Sequence, residues 1–285
     1  MLNMQQSLLS PSTMVFLAIP KTAGSTFTSI IEANYTPFEC FSFHTPRKQS
    51  YQKLMSIKTR NKQCLRMIKG HWPLGLHETF PNVRYITFLR DPVRRYVSAY
   101  NYILNHPNFL ACQVIKKERL TLRQAVEKRV GVLTDNTQTR WCTLGGLDID
   151  RHLTADDGRN AWRELESRNS LVGFVELFDE SVLMCASELK WKTPLYYQRN
   201  VSKRSFATLT QDDEEWLKEH SQADYALMEC AKKDFATRWS RWTEANPKGL
   251  ETFRRLNARN SRWTRCEYTV RYIAWRLVWK ALGRW

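Results

Sequence analysis

The 285-residue sequence predicts an α/β fold of three layers, in which a central parallel sheet carries helices on both faces. Short apolar runs alternate along the chain with helical patterns, and this alternation is typical of parallel strands joined by crossover helices. The apolar runs that predict strands span residues 14–19, 65–68, 85–89 and 171–175. Ligands of such sheets bind at the carboxyl ends of the strands, so we expect the functional residues in the loops that follow them.

Local signals place the helices between these strands. The first helix is predicted to begin at Ser25, because Phe27 and Ile30 follow it at helical spacing. Further helix starts are predicted from the capping residues Asp91 before Pro92, Thr121 with Gln124, and Asp179 before residues 182–189. The remaining predictions are one long helix over residues 212–238 and loops around a short helix over residues 35–63.

The composition is that of a globular and strongly basic protein. Hydrophobic residues make up 42% and charged residues 25% of the chain, which excludes an extended disordered protein. The net charge of +16 predicts an anionic partner, such as a nucleic acid, an acidic lipid, an acidic polymer or a nucleotide; the alternative is a basic surface that serves solubility alone. The seven cysteines are widely spaced and form no zinc motif, which predicts reduced thiols and a cytoplasmic location. The N-terminal apolar run is too short for a signal peptide or a membrane span.

The loop after the first strand has the features of a phosphate-binding site. It is a turn followed by a hydroxyl-bearing helix start, formed by Lys21, Thr22, Ala23, Gly24, Ser25 and Thr26. The N–H groups and the dipole of the helix start favour an anion, Gly24 allows close approach of the backbone, and Lys21 adds a positive charge. The lysine precedes the glycine, unlike the lysine of the Walker motif, so an ordinary ATP or GTP site is not expected.

A second phosphate-binding motif follows the strand predicted over residues 85–89. Arg90 comes directly after this strand, and Ser98 lies about two helical turns into the helix that begins after Asp91. A guanidinium group and a hydroxyl group at this spacing form a compact phosphate clamp. The alternative is that Arg90 forms a structural ion pair at the end of the strand.

The two motifs, in this order, resemble the 5′-phosphosulfate loop and the 3′-phosphate-binding motif of sulfotransferases that use 3′-phosphoadenosine-5′-phosphosulfate (PAPS). The resemblance runs through the motifs PKTAGSTF, KGHW, FLRDPVRRYVSAY, DNTQTRW and LVGFVELFDESV, over residues 14–235. It is closest to the carbohydrate branch that includes the heparan sulfate and uronyl 2-O-sulfotransferases. It implies a P-loop-like fold, PAPS as co-substrate, and a carbohydrate or glycoconjugate acceptor.

The resemblance also implies roles for the residues of both motifs. It assigns Lys21 to the bridging oxygen from which the sulfuryl group departs. It assigns to the 5′-phosphate the residues Thr22, Gly24, Ser25 and Thr26. Arg90 and Ser98 bind the 3′-phosphate by the same resemblance, and Ser202 and Lys203 lie where the family has a loop that closes over this phosphate. For Ser202 and Lys203 the alternative is a solvated basic loop. Sulfuryl transfer itself is not expected to require a metal.

Sulfuryl transfer also needs a base for the hydroxyl proton, and the sequence offers three candidates. His71 is favoured, since it follows a strand and a glycine and since imidazole titrates near neutral pH. Its Gly-His context resembles that of the catalytic histidine in the 2-O branch. His77 and Glu78 are the rivals, and a His71 that only bonds to the backbone is the alternative. The other histidines are predicted to lie at the surface: His44, His106, His152 and His220.

The segment DNTQTRW is a candidate acceptor site. Asn136, Gln138 and Arg140 are predicted to line the acceptor cleft, where an arginine suits the carboxylate of a sugar. His77 is predicted to contact the acceptor as well, if it is not the base. The alternative for the whole segment is an internal hydrogen-bond hub.

Three regions are predicted along the chain: a polar leader over residues 1–13, a sulfotransferase domain over 14–237, and a basic helical extension over 238–285. The extension holds six of the eleven tryptophans, with twelve Lys or Arg against three Asp or Glu. Its apolar residues recur at helical spacing between arginines, which predicts peripheral contact with an anionic membrane or a polyanionic acceptor, and no membrane span. The alternative is an apolar face packed on the sheet domain. Nucleic acid is not expected as a partner.

Two other functions remain compatible with the sequence. One is a nucleotide-dependent phosphotransferase with a degenerate P-loop, which the position of the lysine and the lack of a clear acidic strand end for magnesium disfavour. The other is a non-enzymatic basic protein that binds membranes or polyanions, which the charge alone supports. Tight and selective binding of 3′,5′-adenosine bisphosphate distinguishes a sulfotransferase from both.

Overall fold

The computed structural model describes residues 13–44, 47–192, 194–198 and 205–281, without the side chains of 261–265. The described residues form five β-strands and twelve α-helices. The strands are β1 (Met14–Leu17), β2 (Cys40–Phe43), β3 (Met67–Gly70), β4 (Arg84–Leu89) and β5 (Leu171–Phe174). The helices are α1 (Gly24–Asn34), α2 (Arg47–Ser56), α3 (Thr59–Lys62), α4 (Pro92–Leu104), α5 (Leu110–Glu118), α6 (Leu122–Glu127), α7 (Thr137–Trp141), α8 (Ala155–Ser167), α9 (Phe178–Leu189), α10 (Gln211–Glu219), α11 (Gln222–Ala245) and α12 (Gly249–Ala281).

The five strands form one parallel sheet in the order β2-β3-β1-β4-β5. β1 lies at the centre, with Met14 paired to Met67 of β3 on one side and to Arg84 of β4 on the other. The chain continues from β1 to β2 at one edge, whereas it continues from β4 to β5 at the opposite edge. The carboxyl ends of β1 and β4 therefore flank a topological switch point, where ligands of open α/β sheets bind. The predicted α/β class, with a central parallel sheet between helices, is confirmed.

The side chains of β1 alternate between two helical layers. Met14 and Phe16 belong to a core that includes residues of α1, α9 and α12. Val15 and Leu17 belong to a second core, which includes residues of α2, α8 and α11. Each of these four side chains is at most 2% exposed. The strand is buried on both faces, which explains why its sequence is a continuous apolar run.

A third core joins α4, α5, α6 and α10 beside the sheet. Tyr96 and Ile103 of α4 are buried in it, together with Leu217 of α10. The hydroxyl group of Tyr100 donates a hydrogen bond to the carbonyl oxygen of Leu120 at 2.8 Å. These contacts hold α4 in a fixed position directly after β4, next to the carboxyl edge of the sheet.

Two of the predicted helix starts are confirmed. The carboxylate of Asp91 accepts a hydrogen bond from the Arg94 N–H at 2.9 Å, with Pro92 at the first helical position of α4. The capping box of Thr121 and Gln124 is present at the start of α6. Both signals depend only on residues within one helical turn, so the sequence alone specifies them.

Three other element predictions are wrong. Asp179 does not cap α9, which begins at Phe178; its carboxylate accepts a hydrogen bond from the Tyr196 hydroxyl at 2.7 Å instead. The single helix predicted over residues 212–238 is two helices, α10 and α11. The region predicted as loops contains β2, an edge strand of four buried residues that pairs only with β3. A strand this short has too few residues for its period to be read from the sequence.

The predicted C-terminal extension packs on the sheet. Trp275 and Trp279 of α12 belong to the same core as Met14 of β1, which is the alternative that the sequence left open. The boundary predicted after residue 237 falls inside α11. Across the described part of the chain, no helix is both long and apolar enough to cross a membrane. Residues 1–12 of the predicted leader lie outside the described residues.

Candidate active site

A cavity of about 970 Å³ lies at the carboxyl edge of the sheet, beside the ends of β1, β3 and β4. Its lining includes six of the residues predicted to bind the nucleotide and the favoured base: Lys21, Gly24, Ser25, Thr26, Arg90, Ser98 and His71. Thr22 is not part of the lining, and Ser202 and Lys203 lie outside the described residues. The fold thus brings both phosphate motifs and the favoured base around one space.

The loop between β1 and α1 holds two non-glycine residues in the left-handed region, Lys21 at φ 72° and Ala23 at φ 61°. Thr22 braces the turn between them, because its hydroxyl donates to the Ile19 carbonyl oxygen at 3.1 Å. Gly24, in contrast, is the first residue of α1, and a Cβ atom there would lie 3.4 Å from the Ala18 Cβ, an ordinary contact. Thr22 thus shapes the loop from a buried position, and the left-handed backbone belongs to its neighbours Lys21 and Ala23.

The N-terminal end of α1 faces the cavity. Among the described residues, no side chain caps this helix and its first turn contains no acidic residue. Gly24, Ser25 and Thr26 of the first turn line the cavity. The partial positive charge at the start of an eleven-residue helix favours an anion at this place.

Lys21 stands beside this helix start with a pKa that is lowered to about 8, first by burial and then by the neighbouring Arg90. Its Nζ atom lies 3.8 Å from the centroid of the Tyr102 ring of α4, in a cation–π contact. Tyr102 was not among the residues predicted from the sequence. Its position four residues after Ser98 places both side chains on the same face of α4, which is the signal that could have found it.

Arg90 connects the two phosphate motifs. Its Nη1 atom donates to the carbonyl oxygen of Lys21 at 3.3 Å, so the two loops are joined at the switch point of the sheet. Burial lowers the pKa of the guanidinium group, while the Glu176 carboxylate opposes the shift. Its Nε atom is buried and has no hydrogen-bond partner among the described residues. A buried cationic donor without a partner fits the oxygen of an anionic ligand.

The sequence that surrounds this cavity matches a known family. The model of the Sulfotransferase family matches residues 10–233, which include both phosphate motifs and all five strands. The chain belongs to the sulfotransferase family. A solved structure of a sulfotransferase from Alicyclobacillus acidocaldarius is similar, with 12% sequence identity and a TM-score of 0.43, over 76% of this chain and 95% of that chain. No curated protein matches the sequence.

Membership confirms the prediction of a sulfotransferase at the level of sulfuryl transfer. It favours this chemistry over the phosphoryl transfer that the sequence left as an alternative. Helix α12 begins at Gly249, beyond the matched residues, so its part in the cavity is not covered by the family model.

His71 of this sulfotransferase is oriented by one hydrogen bond. Its Nδ1 atom lies 2.6 Å from the carbonyl oxygen of Ala18. Because a carbonyl oxygen only accepts, Nδ1 carries the hydrogen atom, and Nε2 of the neutral ring is the proton acceptor. His71 lines the cavity and is exposed within it, yet the surrounding protein lowers its pKa below 6.5, mainly by desolvation.

Neither rival base of the sulfotransferase lines the cavity. His77 is 7% exposed, and its Nδ1 atom lies 2.8 Å from the hydroxyl of Tyr85. Its Nε2 atom lies 3.4 Å from the carboxylate of Glu164, so both ring nitrogens are engaged inside the protein. Glu78 is exposed on the short 3₁₀ turn next to His77. The structure thus places only His71 of the three candidates at the cavity, and it corrects the prediction that His77 contacts the acceptor.

The segment DNTQTRW forms the internal hub that the sequence left as its alternative. Arg140 is 2% exposed and donates to the Asp135 carboxylate at 2.8 Å. It also donates to the carbonyl oxygens of Asp135, Gly146, Asp148 and Arg151. Asn136 is 4% exposed, and its Oδ1 atom accepts from the Asp224 N–H at 3.2 Å. Since neither lines the cavity, the structure corrects the prediction that Asn136 and Arg140 bind the acceptor.

Gln138 gives this hub a link to the site. Its side chain accepts a hydrogen bond from the Arg90 N–H at 2.7 Å and donates to the Arg90 carbonyl oxygen at 2.8 Å. On its other side, the Gln138 N–H donates to the buried Asp224 carboxylate at 3.2 Å. Gln138 therefore positions the residue that directly follows β4.

Further titratable residues of the cavity wall were not predicted, among them His44, Arg47 and Lys69. His44 is exposed, as the sequence predicted, and it also lines the cavity. The Cζ atom of Arg47 lies 4.9 Å from the centroid of the Trp141 ring, which itself is close to His71. Lys69 of β3 forms a buried ion pair with Glu32 of α1 at 2.5 Å. These contacts join segments far apart in the sequence, so no local pattern announces them.

Proposed function

We propose that this sulfotransferase transfers the sulfuryl group of PAPS to a hydroxyl group of a carbohydrate acceptor, with His71 as the general base. The observation that supports it is the placement of two anion sites and an oriented histidine around one cavity. The first anion site is the start of α1 with Lys21, and the second is Arg90 with Ser98.

The residues present fit a nucleotide with phosphates at both ends. We assign the 5′-phosphosulfate to the start of α1, where Gly24, Ser25 and Thr26 line the cavity without an acidic neighbour in the first turn. The 3′-phosphate is assigned to Ser98 and to Arg90, whose buried Nε atom has no partner in the described part of the chain. Ser202 and Lys203 stay a prediction, as they lie outside the described residues.

Bound PAPS supplies the sulfuryl group, whose bond to the bridging oxygen breaks while a new bond to the acceptor oxygen forms. Nε2 of His71 takes the proton of the acceptor hydroxyl, since Nδ1 is occupied by the Ala18 carbonyl oxygen. The ammonium group of Lys21 neutralises the charge that develops on the departing phosphate oxygen. A positioned donor of this kind contributes about 10²–10³ in rate.

A carbohydrate acceptor suits the wall around His71. The ring of Trp141, which is 5% exposed, forms part of this wall and lies 6.0 Å from the imidazole, centroid to centroid. Arg47 lies over the same indole and supplies the guanidinium group for a sugar carboxylate, the role that the sequence gave to Arg140. Metal ligands are not required by these steps, and the described residues contain no cluster of three or more His, Cys, Asp or Glu that could hold an ion.

Calorimetric titration with 3′,5′-adenosine bisphosphate, with 5′-AMP and ATP as comparisons, tests the donor site. We expect the bisphosphate to bind most tightly, because Arg90 and Ser98 contact only its 3′-phosphate. Arg90→Ala should weaken this preference about 10- to 100-fold, as a charged hydrogen bond is lost. Arg94→Ala is the matched control, since Arg94 is exposed on α4 outside the cavity lining.

Two outcomes contradict the assignment. The first is a wild-type protein that binds ATP more tightly than 3′,5′-adenosine bisphosphate, which would contradict the assignment of the cavity as the PAPS site. Equal losses in Arg90→Ala for nucleotides with and without the 3′-phosphate show that Arg90 only supports the fold.

A further inference from the structure

Helix α12 carries two different apolar faces. The inner face contributes five side chains to the cavity wall: Tyr268, Tyr272, Trp275, Arg276 and Trp279. The outer face carries Val270, Ile273 and Leu277, which are 68%, 55% and 65% exposed. With a rotation of about 100° per residue, this outer stripe lies opposite to Tyr272 and Trp279 on the helix. The same two turns of helix therefore close the cavity and present aliphatic side chains to the outside.

The inner face fixes α12 firmly in this orientation. Trp275 and Trp279 are 4% and 2% exposed, and the Nζ atom of Lys69 lies 5.6 and 4.8 Å from the centroids of their rings. The Trp279 Nε1 atom donates to the carbonyl oxygen of Pro37 at 3.1 Å. Because these contacts fix the rotation of α12, Val270, Ile273 and Leu277 are held on its outer side.

The outer stripe is flanked by basic side chains. These basic side chains lie between the inner and outer faces, Arg271 on one side of the helix and Arg276 and Lys280 on the other, and all three are exposed. Glu267 is the acidic residue between positions 266 and 281, and it is paired with Arg271 at 2.7 Å. Three adjacent exposed aliphatic side chains between cations are the pattern of a helix that lies in the plane of a membrane surface.

We propose that α12 docks on an anionic lipid bilayer through Val270, Ile273 and Leu277, and that this places the cavity beside acceptors held in that bilayer. Charge complementarity supports an anionic bilayer as the partner, because residues 238–285 contain twelve Lys or Arg and three Asp or Glu. No described helix crosses a membrane, so the contact is peripheral. The acceptor part rests on the proposed sulfotransferase function and narrows the acceptor to the hydroxyl group of a membrane lipid headgroup.

Vesicle sedimentation with the full chain tests the docking. We expect binding to vesicles of equal parts phosphatidylcholine and phosphatidylglycerol, and little binding to phosphatidylcholine alone. The double variant Ile273→Ser with Leu277→Ser should bind the anionic vesicles at least about 10-fold more weakly, since both aliphatic contacts are lost. Leu110→Ser is the matched control, because Leu110 is 75% exposed on α5, away from the stripe.

Two results overturn the docking. One is a double variant that binds the anionic vesicles as well as the wild type does. The other is a wild type that ignores vesicles but self-associates through the stripe, as shown by a dimer in sedimentation analysis that the double variant loses. Calorimetry with 3′,5′-adenosine bisphosphate separates this test from the donor site, as the double variant should bind the nucleotide like the wild type.

Sulfuryl transfer to a glycosyl lipid in the anionic vesicles and to the corresponding soluble methyl glycoside tests the acceptor part. We expect the wild type to modify the lipid faster, and the double variant to lose about 10-fold on the lipid alone. Transfer to the soluble glycoside alone contradicts a membrane acceptor, while vesicle binding would still support the docking surface.

Discussion

The carbonyl group of Ala18 decides which nitrogen of His71 faces the cavity. It lies at the end of β1 and holds Nδ1–H at 2.6 Å, so the free lone pair of the neutral ring is on Nε2. The residue that sets this tautomer is 53 positions earlier in the sequence. Lys21, three residues after Ala18, lines the same cavity, so a single loop orients the proposed base and carries the cation.

The pH dependence of kcat/KM follows from these two groups. As the proposed base, His71 can act only when neutral, and desolvation holds its pKa below 6.5, so we expect activity to be lost as the pH falls through that pKa. In its proposed role Lys21 neutralises charge only as an ammonium ion, and its pKa is about 8, so we expect activity to be lost as the pH rises through this value. We therefore predict a profile that rises below pH 6.5, stays level near neutrality and falls around pH 8.

The variant His71→Ala should lower kcat by about 10²–10⁴. It should also abolish the loss of activity at low pH (the acid limb of the profile) and keep the loss around pH 8 (the basic limb). His152→Ala is the control, because His152 is exposed and not part of the cavity lining. Steady-state rates across this pH range measure both effects. An acid limb that persists in His71→Ala would assign it to another group.

Among the elements, the short helix α7 links the cavity edge of the sheet to α11, which shares a hydrophobic core with it. Its first turn donates the N–H groups of Gln138 and Thr139 to the Asp224 carboxylate of α11, at 3.2 and 2.7 Å. Burial raises the pKa of Asp224, while the hydrogen bonds from Thr139 and Gln138 oppose this shift. The Gln138 side chain then holds Arg90 by both its N–H and its carbonyl group. The packing of α11 is in this way connected to the position of Arg90.

The variant Gln138→Glu tests this positioning. It replaces the Nε2 donor with a carboxylate oxygen that repels the Arg90 carbonyl oxygen. We predict a loss of about 1–3 kcal/mol in the free energy of unfolding and about 10-fold in the preference for 3′,5′-adenosine bisphosphate over 5′-AMP. Gln113→Glu, at an exposed position of α5, should change neither. A purely structural role for Gln138 would instead weaken both nucleotides equally, as measured by calorimetry.

At the scale of the whole molecule, the Lys69–Glu32 ion pair joins β3 to α1 beneath the aromatic side chains of α12. Its side chains are 4% and 5% exposed, and Trp279 covers the lysine with a ring centroid 4.8 Å from Nζ. The desolvation of two buried charges offsets much of their attraction, so the intact pair adds little net stability. Removal of one partner is costly, because the other charge then stays buried and unpaired.

Lys69→Met should therefore lower the free energy of unfolding by about 3–5 kcal/mol. The double variant Lys69→Met with Glu32→Leu should recover most of this loss, since no charge is left unpaired. Lys233→Met is the control, because its ion pair with Glu229 is exposed on both sides and should contribute less than about 1 kcal/mol. Urea unfolding measures all three, and a Lys69→Met effect as small as that of the control would contradict a buried ion pair.

Several features of the fold and site could be predicted from the sequence. The strand–loop–helix unit around Lys21, the cap at Asp91 and the position of Arg90 directly after a strand all appear in the structure as expected. These features depend on residues within a few positions of one another, through apolar periodicity, capping hydrogen bonds and strand length. The order of the motifs, which requires no coordinates, was enough to indicate the sulfotransferase family.

Only the tertiary structure decided which of several chemically similar residues belong to the site. It placed His71 at the cavity and His77 in the interior. It also placed Arg47 in the cavity wall, whereas Arg140, predicted for this position, is buried elsewhere. It also turned one face of α12 inward, beyond the residues that the family model matches. These outcomes depend on packing between segments that are tens to hundreds of residues apart, and burial and partner choice at that range leave no local pattern in the sequence.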